Sequence, residues 1–91
     1  MDDRELIERL AELNPDALYA DGLQAALIGY VERFGQPAVA LYDREKCIEV
    51  LQEGGMSREQ AEEYFEVNVI GAAVGPGTPA FATLVKKDTP E

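Results

Sequence analysis

Acids and one asparagine are the side chains here whose placement could do chemistry. Asp21 and Asp43 each stand at a turn or cap position beside a tyrosine, Tyr19 and Tyr42 respectively. If the segments carrying them pair, the two carboxylates could meet, and unequal burial could separate them into an acid and a base. The plainer reading is that each acid caps or turns the backbone, which aspartate does well. Hydrolysis through this pair has little support, because no nucleophile stands next to a base. The chain contains no histidine, which removes Ser-His-Asp and Cys-His arrangements and the commonest zinc ligand sets. No catalytic residue, metal or cofactor is expected.

Asn68 lies in the otherwise apolar run VNVIGAAV, on the face of a predicted helix shared with Phe65 and Val69. A buried amide must find partners, because leaving it unsatisfied costs about 1–3 kcal/mol. Those partners could be backbone groups of the loop holding Gly75 and Thr78, or a ligand held between helix and loop. The glycines of Gly71–Pro79 suit loop construction; none precedes Lys-Ser or Lys-Thr, so no phosphate-binding P-loop is present. Tyr19-Ala20-Asp21-Gly22 is too sparse in oxygen ligands for calcium.

Acids outnumber bases by 18 to 8 over 91 residues, for a net charge of −10. Phosphate contacts need clustered Lys and Arg, so direct binding to nucleic acid or an anionic membrane is not expected. The densest acidic surface combines Glu59, Glu62, Glu63 and Glu66 with Glu45, Glu49 and Glu53. Solubility explains such a face, and so would imitation of a polyanion toward a basic partner. The single cysteine, Cys47, sits on the apolar side of a predicted helix and reads as a packing residue. With no internal disulfide, no secretory signal and no apolar run of membrane length, a reducing cytoplasmic setting is expected.

The elements that must position these groups are well punctuated. Leu6, Ile7, Leu10 and Leu13 form one stripe of a helix over residues 2–13, ended by Asn14-Pro15. Leu23–Phe34 fits either a helical stripe or a strand. Gly29 and the short return through Gly35-Gln36-Pro37 favour a hairpin with the apolar run Ala38–Tyr42. Asp43 is a plausible N-cap for a helix over Arg44–Glu53, which Gly54-Gly55 stops. Ser57-Arg58-Glu59-Gln60 fits a capping box, so a second helix starts there and continues through Glu66. Its inner face is Ala61, Tyr64, Phe65, Asn68, Val69 and Ala72, and the apolar run after Val67 should be buried on several sides. Phe81, Leu84 and Val85 suggest a last strand before a polar, flexible tail at 86–91.

The order YADGLQAALIG, YDREKCIEVL, GMSREQAEEYFEVNVIGA and VGPGTPAF resembles a family of short, uncharacterised proteins encoded by phages and related viruses. The resemblance spans residues 18–81, most of the chain. Its last block often looks like GAYVGExTP, where this chain has Ala73 for the aromatic and Pro76 for the acid. The resemblance implies a viral protein in the host cytoplasm and carries no established activity.

The reading is therefore one α+β domain: an N-terminal helix and a small antiparallel sheet of two or three strands packed against a helical hairpin. The expected function is non-enzymatic binding to a host or phage protein, as a viral accessory factor that could inhibit a defence system. Small-ligand or nucleotide binding at Asn68 and the Gly71–Pro79 loop is the alternative, as is a minor virion assembly role, for which a symmetric homo-oligomer would be the sign. Candidate contact residues are Tyr19, Asp21, Tyr42, Asp43, Glu59, Glu62, Glu63, Glu66, Asn68, Gly75 and Thr78.

Overall fold

The computed structural model describes residues 2–72 and 75–85. It begins with α1 (Asp3–Leu13), where Asp2 accepts the Glu5 N–H and the Glu5 side chain returns to the Asp2 N–H. This reciprocal capping box satisfies two donors left free by helix geometry. The stripe docks through Leu6 and Leu10, both buried, while Ile7 and Leu13 on its flanks remain exposed. α1 packs on the hairpin formed by β1 (Leu27–Arg33) and β2 (Gln36–Asp43).

The ambiguous Leu23–Phe34 segment divides its character. Gln24–Ala26 makes one 3-10 turn, burying Leu23 and Ala26, and the chain then extends into β1. β1 and β2 are antiparallel, with register irregularities between Leu27 and Gly29 and between Val31 and Arg33. The turn is tighter than expected. Arg33 pairs with Gln36, so Phe34 and Gly35 alone make the reversal, with Gly35 at φ +72°. Pro37 consequently lies inside β2. It is tolerated because the third strand pairs only with Leu41–Asp43, so no neighbour on that side requires an N–H from residue 37.

Asp43 ends β2 and caps α2 (Arg44–Glu53), its Oδ1 accepting from the Glu45 and Lys46 amides. Gly54 and Gly55 close that helix, Gly55 at φ +113°. Ser57 opens α3 (Arg58–Tyr64) with the expected capping box to Gln60. Beyond Tyr64 the helical path continues to Ala72, but not as a regular α-helix. It widens into a π-helical turn (Phe65–Val69) and tightens into a 3-10 turn (Ile70–Ala72).

β3 (Ala80–Ala82) then returns beside β2. It runs parallel to β2, so the sheet is mixed rather than wholly antiparallel. The reason is the connection: the chain leaves β2, traverses two helices, and comes back in the original direction, as parallel pairing requires. Phe81 fastens the return by stacking on Tyr42 at 5.4 Å and receiving Phe65 edge-on at 5.2 Å. The architecture is α+β, with a core running from Leu6 and Leu10 through Ala40, Tyr42, Cys47 and Ile48 to Ala61 and Phe65. Expectations for the 86–91 tail and for Ala73 fall outside the described residues.

Candidate functional site

Asn14 does the work expected of Asn68. It is buried, its Nδ2 donates to the Ala38 carbonyl at 2.8 Å, and its Oδ1 accepts from the Asp16 N–H at 3.0 Å. The first bond ties the end of α1 to β2, and the second starts the 16–23 loop along a set path. That loop then meets the second half of the chain. The Leu18 N–H donates to the Gly77 carbonyl at 3.0 Å, and Gly77 lies so close that a Cβ there would sit 2.8 Å from the Asp16 oxygen. Farther along, the Ala20 N–H donates to the Tyr42 hydroxyl at 2.9 Å.

Between this loop and the widened end of α3 lies a groove of about 370 Å³. Leu23 and Leu51 lie at its base, Val69 and Phe81 close its sides, and Tyr19, Tyr64 and Asn68 stand exposed at its rim. Thr78 and Pro79 complete the wall. A second, shallower hollow of about 420 Å³ continues past Tyr64 and Asn68 to Met56, Gln60, Glu63 and Val67. Tyr64 and Asn68 therefore form a ridge shared by both depressions. The π-helical turn sets this ridge. Its extra residue rotates the helix face, so that the Ile70 N–H bonds to the Glu66 and Phe65 carbonyls together.

Asn68 is thus exposed, against the expectation of a buried inner face, and its amide makes no hydrogen bond among the described residues. The reason is geometric. Phe65 is buried and Val69 only partly so, while Val67 and Ile70 face solvent at 64% and 41% exposure. Among the described residues after Val67, none is fully buried.

The other candidate residues fall in different places. Tyr19, Asp21, Asn68 and Thr78 line the groove together, and Glu63 lines the second hollow. Tyr42 is 1% exposed beneath Phe81, so it supports the groove and has no surface to offer a partner. Burial raises its phenol pKa, as partial burial does for Tyr19. Asp43 is engaged in capping α2 and does not line the groove with Asp21, so the two carboxylates do not converge there. Gly75 sits at φ +131° in the turn that donates the Thr78 N–H to its carbonyl.

The acidic face is less free than its composition suggests. Arg58 binds Glu45 with both terminal nitrogens and Glu62 through Nε at 2.8 Å, while Arg44 reaches Glu66 at 2.6 Å and lies over the Phe65 ring. The hydrogen bonds from Arg58 hold the Glu45 carboxyl below its ordinary pKa. Arg58–Glu45 joins α2 to α3, and Arg44–Glu66 joins α2 to the widened turn; Glu59 and Glu63 have no ion pair among the described residues. Glu59 lines neither depression.

Sequence reasoning did not assign Tyr64 or Val69 to a site, because a helical stripe marks them as core. Both stand exposed or half-exposed at the start and end of the widened turn, which leaves no local sequence signature. Cys47 is fully buried as expected, its thiol pushed up to about 11 by desolvation. No group of three or more acids, cysteines or histidines capable of holding a metal occurs among the described residues, and no helix there is long and apolar enough to cross a membrane. No family model, curated protein or solved structure matches this chain.

Proposed function

We propose that this chain is a small acidic viral accessory protein that acts in the host cytoplasm by binding a host or phage protein. Inhibition of a host defence component is the role that best suits such a factor. One observation carries the reading: an apolar groove is bordered by exposed Tyr19 and Tyr64 and continues into a second hollow with exposed Val67. Tyrosine beside a desolvated pocket is the composition of a protein-binding hot spot, because it contributes large contact area with few torsions to order. The groove's volume lies within the range of small-molecule sites. Its lining, however, includes no Lys or Arg to meet a phosphate, which weighs against nucleotides.

Affinity capture from infected-cell lysate tests this, with the wild-type chain compared with Tyr64→Lys after circular dichroism has checked folding. The expected result is one stoichiometric protein that the variant retains at least about tenfold less well, as for loss of a hot-spot residue. A small molecule released from the purified protein under native mass spectrometry, with no protein partner, would replace this reading with ligand binding. A virion protein as the captured species would instead place the chain in assembly.

A further inference from the structure

We infer that the occupant of the groove is a short extended peptide segment of the partner, with one large apolar or aromatic side chain flanked by Lys or Arg. The inference rests on the groove being a protein-docking surface and adds the chemistry of what docks. Across both depressions the charged lining residues are one carboxylate each, Asp21 in the groove and Glu63 in the adjoining hollow, with no Lys or Arg in either. Their neighbours Glu62 and Glu66 are neutralised by Arg58 and Arg44, whereas Asp21 and Glu63 form no ion pair among the described residues. The carboxylates that line the two depressions therefore keep their charge, and no Lys or Arg there offsets it.

The rest of the lining fits the same occupant. Leu23 and Leu51 at the base, with Phe81 and Val69 at the sides, give the groove an apolar lining for the anchor side chain. On the ridge between, the Asn68 amide has a donor and an acceptor uncommitted, the complement of an extended backbone. Tyr19 and Tyr64 present rings that can lie against an ammonium or guanidinium group. A second copy of this chain is a poor occupant, since each carries a net charge of −10 and like charge opposes close approach.

A displayed library of random 12-residue peptides, panned at low salt on the full chain and counter-selected on Tyr64→Lys and on Asn68→Lys, tests this. The expected outcome is enrichment of peptides carrying an aromatic or branched aliphatic residue between basic residues, lost on both variants. For an enriched peptide, Asp21→Asn with Glu63→Gln should weaken binding about tenfold near 50 mM salt and far less near 500 mM, where screening removes their contribution. Groove-dependent peptides lacking Lys and Arg would overturn the inference and leave the docking reading intact. Failure to enrich any peptide that depends on Tyr64 or Asn68 would overturn both. A concentration-dependent dimer in sedimentation, abolished by Tyr64→Lys, would identify a second copy as the occupant and overturn the cationic segment.

Discussion

Asn14 and Asn68 carry the same side chain into opposite circumstances. Around Asn14 the molecule is closed: the amide is buried and joined to the Ala38 carbonyl and the Asp16 N–H, and Tyr42 and Cys47 lie fully covered in the same core. Among the described residues, no polar side-chain atom is buried without a partner. Around Asn68 the molecule is open, with an uncommitted amide on a ridge between two hollows and apolar neighbours in contact with water. A buried amide has its role decided by the fold, because an unmet partner would be penalised. An exposed one keeps its capacity, and that is where binding can act without disturbing stability.

The sharpest way to break this contrast is to remove each amide. Asn14→Ala should destabilise the protein by about 2–3 kcal/mol, since it deprives the buried Ala38 carbonyl and the Asp16 amide of a partner. Urea denaturation measures this directly, and a change below about 0.5 kcal/mol would mean that the closed region does not depend on Asn14.

Raising the pH probes the closed region through Cys47. Its thiol pKa in the folded protein is about 11, above the value of about 8.5 expected in an unfolded chain. The folded state keeps the proton while the unfolded state loses it, so stability is full below about pH 8.5 and declines toward pH 11. The loss is on the order of 3 kcal/mol, and Tyr42 acts in the same direction at the upper end. Denaturation midpoints between pH 8 and 11 check this; Cys47→Ala should flatten the early part of the decline, and an unchanged slope would rule the thiol out.

The smallest effect is the most diagnostic. Asn68→Leu should shift stability by no more than about 0.5 kcal/mol, because nothing in the described structure depends on its amide. Partner binding should fall in the same variant. A large loss of stability would erase the distinction between the two regions.

Much of the fold could be read from local signals. Asp43 and Ser57 announce their helices, Gly54-Gly55 and Gly35 mark reversals, and the leucine stripe of α1 identifies its inner face. These features are set by residues only a few positions apart. What escaped was set at long range. The partner of Asn14 lies 24 residues away, and nothing in its neighbourhood distinguishes a helix-ending asparagine from one that bridges to a strand. β3 is recognisable as an apolar run, but its direction depends on where two helices deliver it. The candidate site was half legible for the same reason. Tyr19, Asp21, Asn68 and Thr78 meet in the groove, but a continuous apolar run cannot say where a helix widens. Asn68 is expected on a buried face and stands exposed at the groove's rim.

The irregular register of β1 has a further consequence. β1 is an outer strand of the sheet, and a regular outer strand invites another chain to add itself backbone to backbone. Its two interruptions, one near each end, leave only a short stretch at Gly29–Val31 in even step with β2. Such breaks twist a strand and spoil the straight row of donors and acceptors that a newcomer would copy. That edge of the sheet is thereby made a poor template for fibril growth.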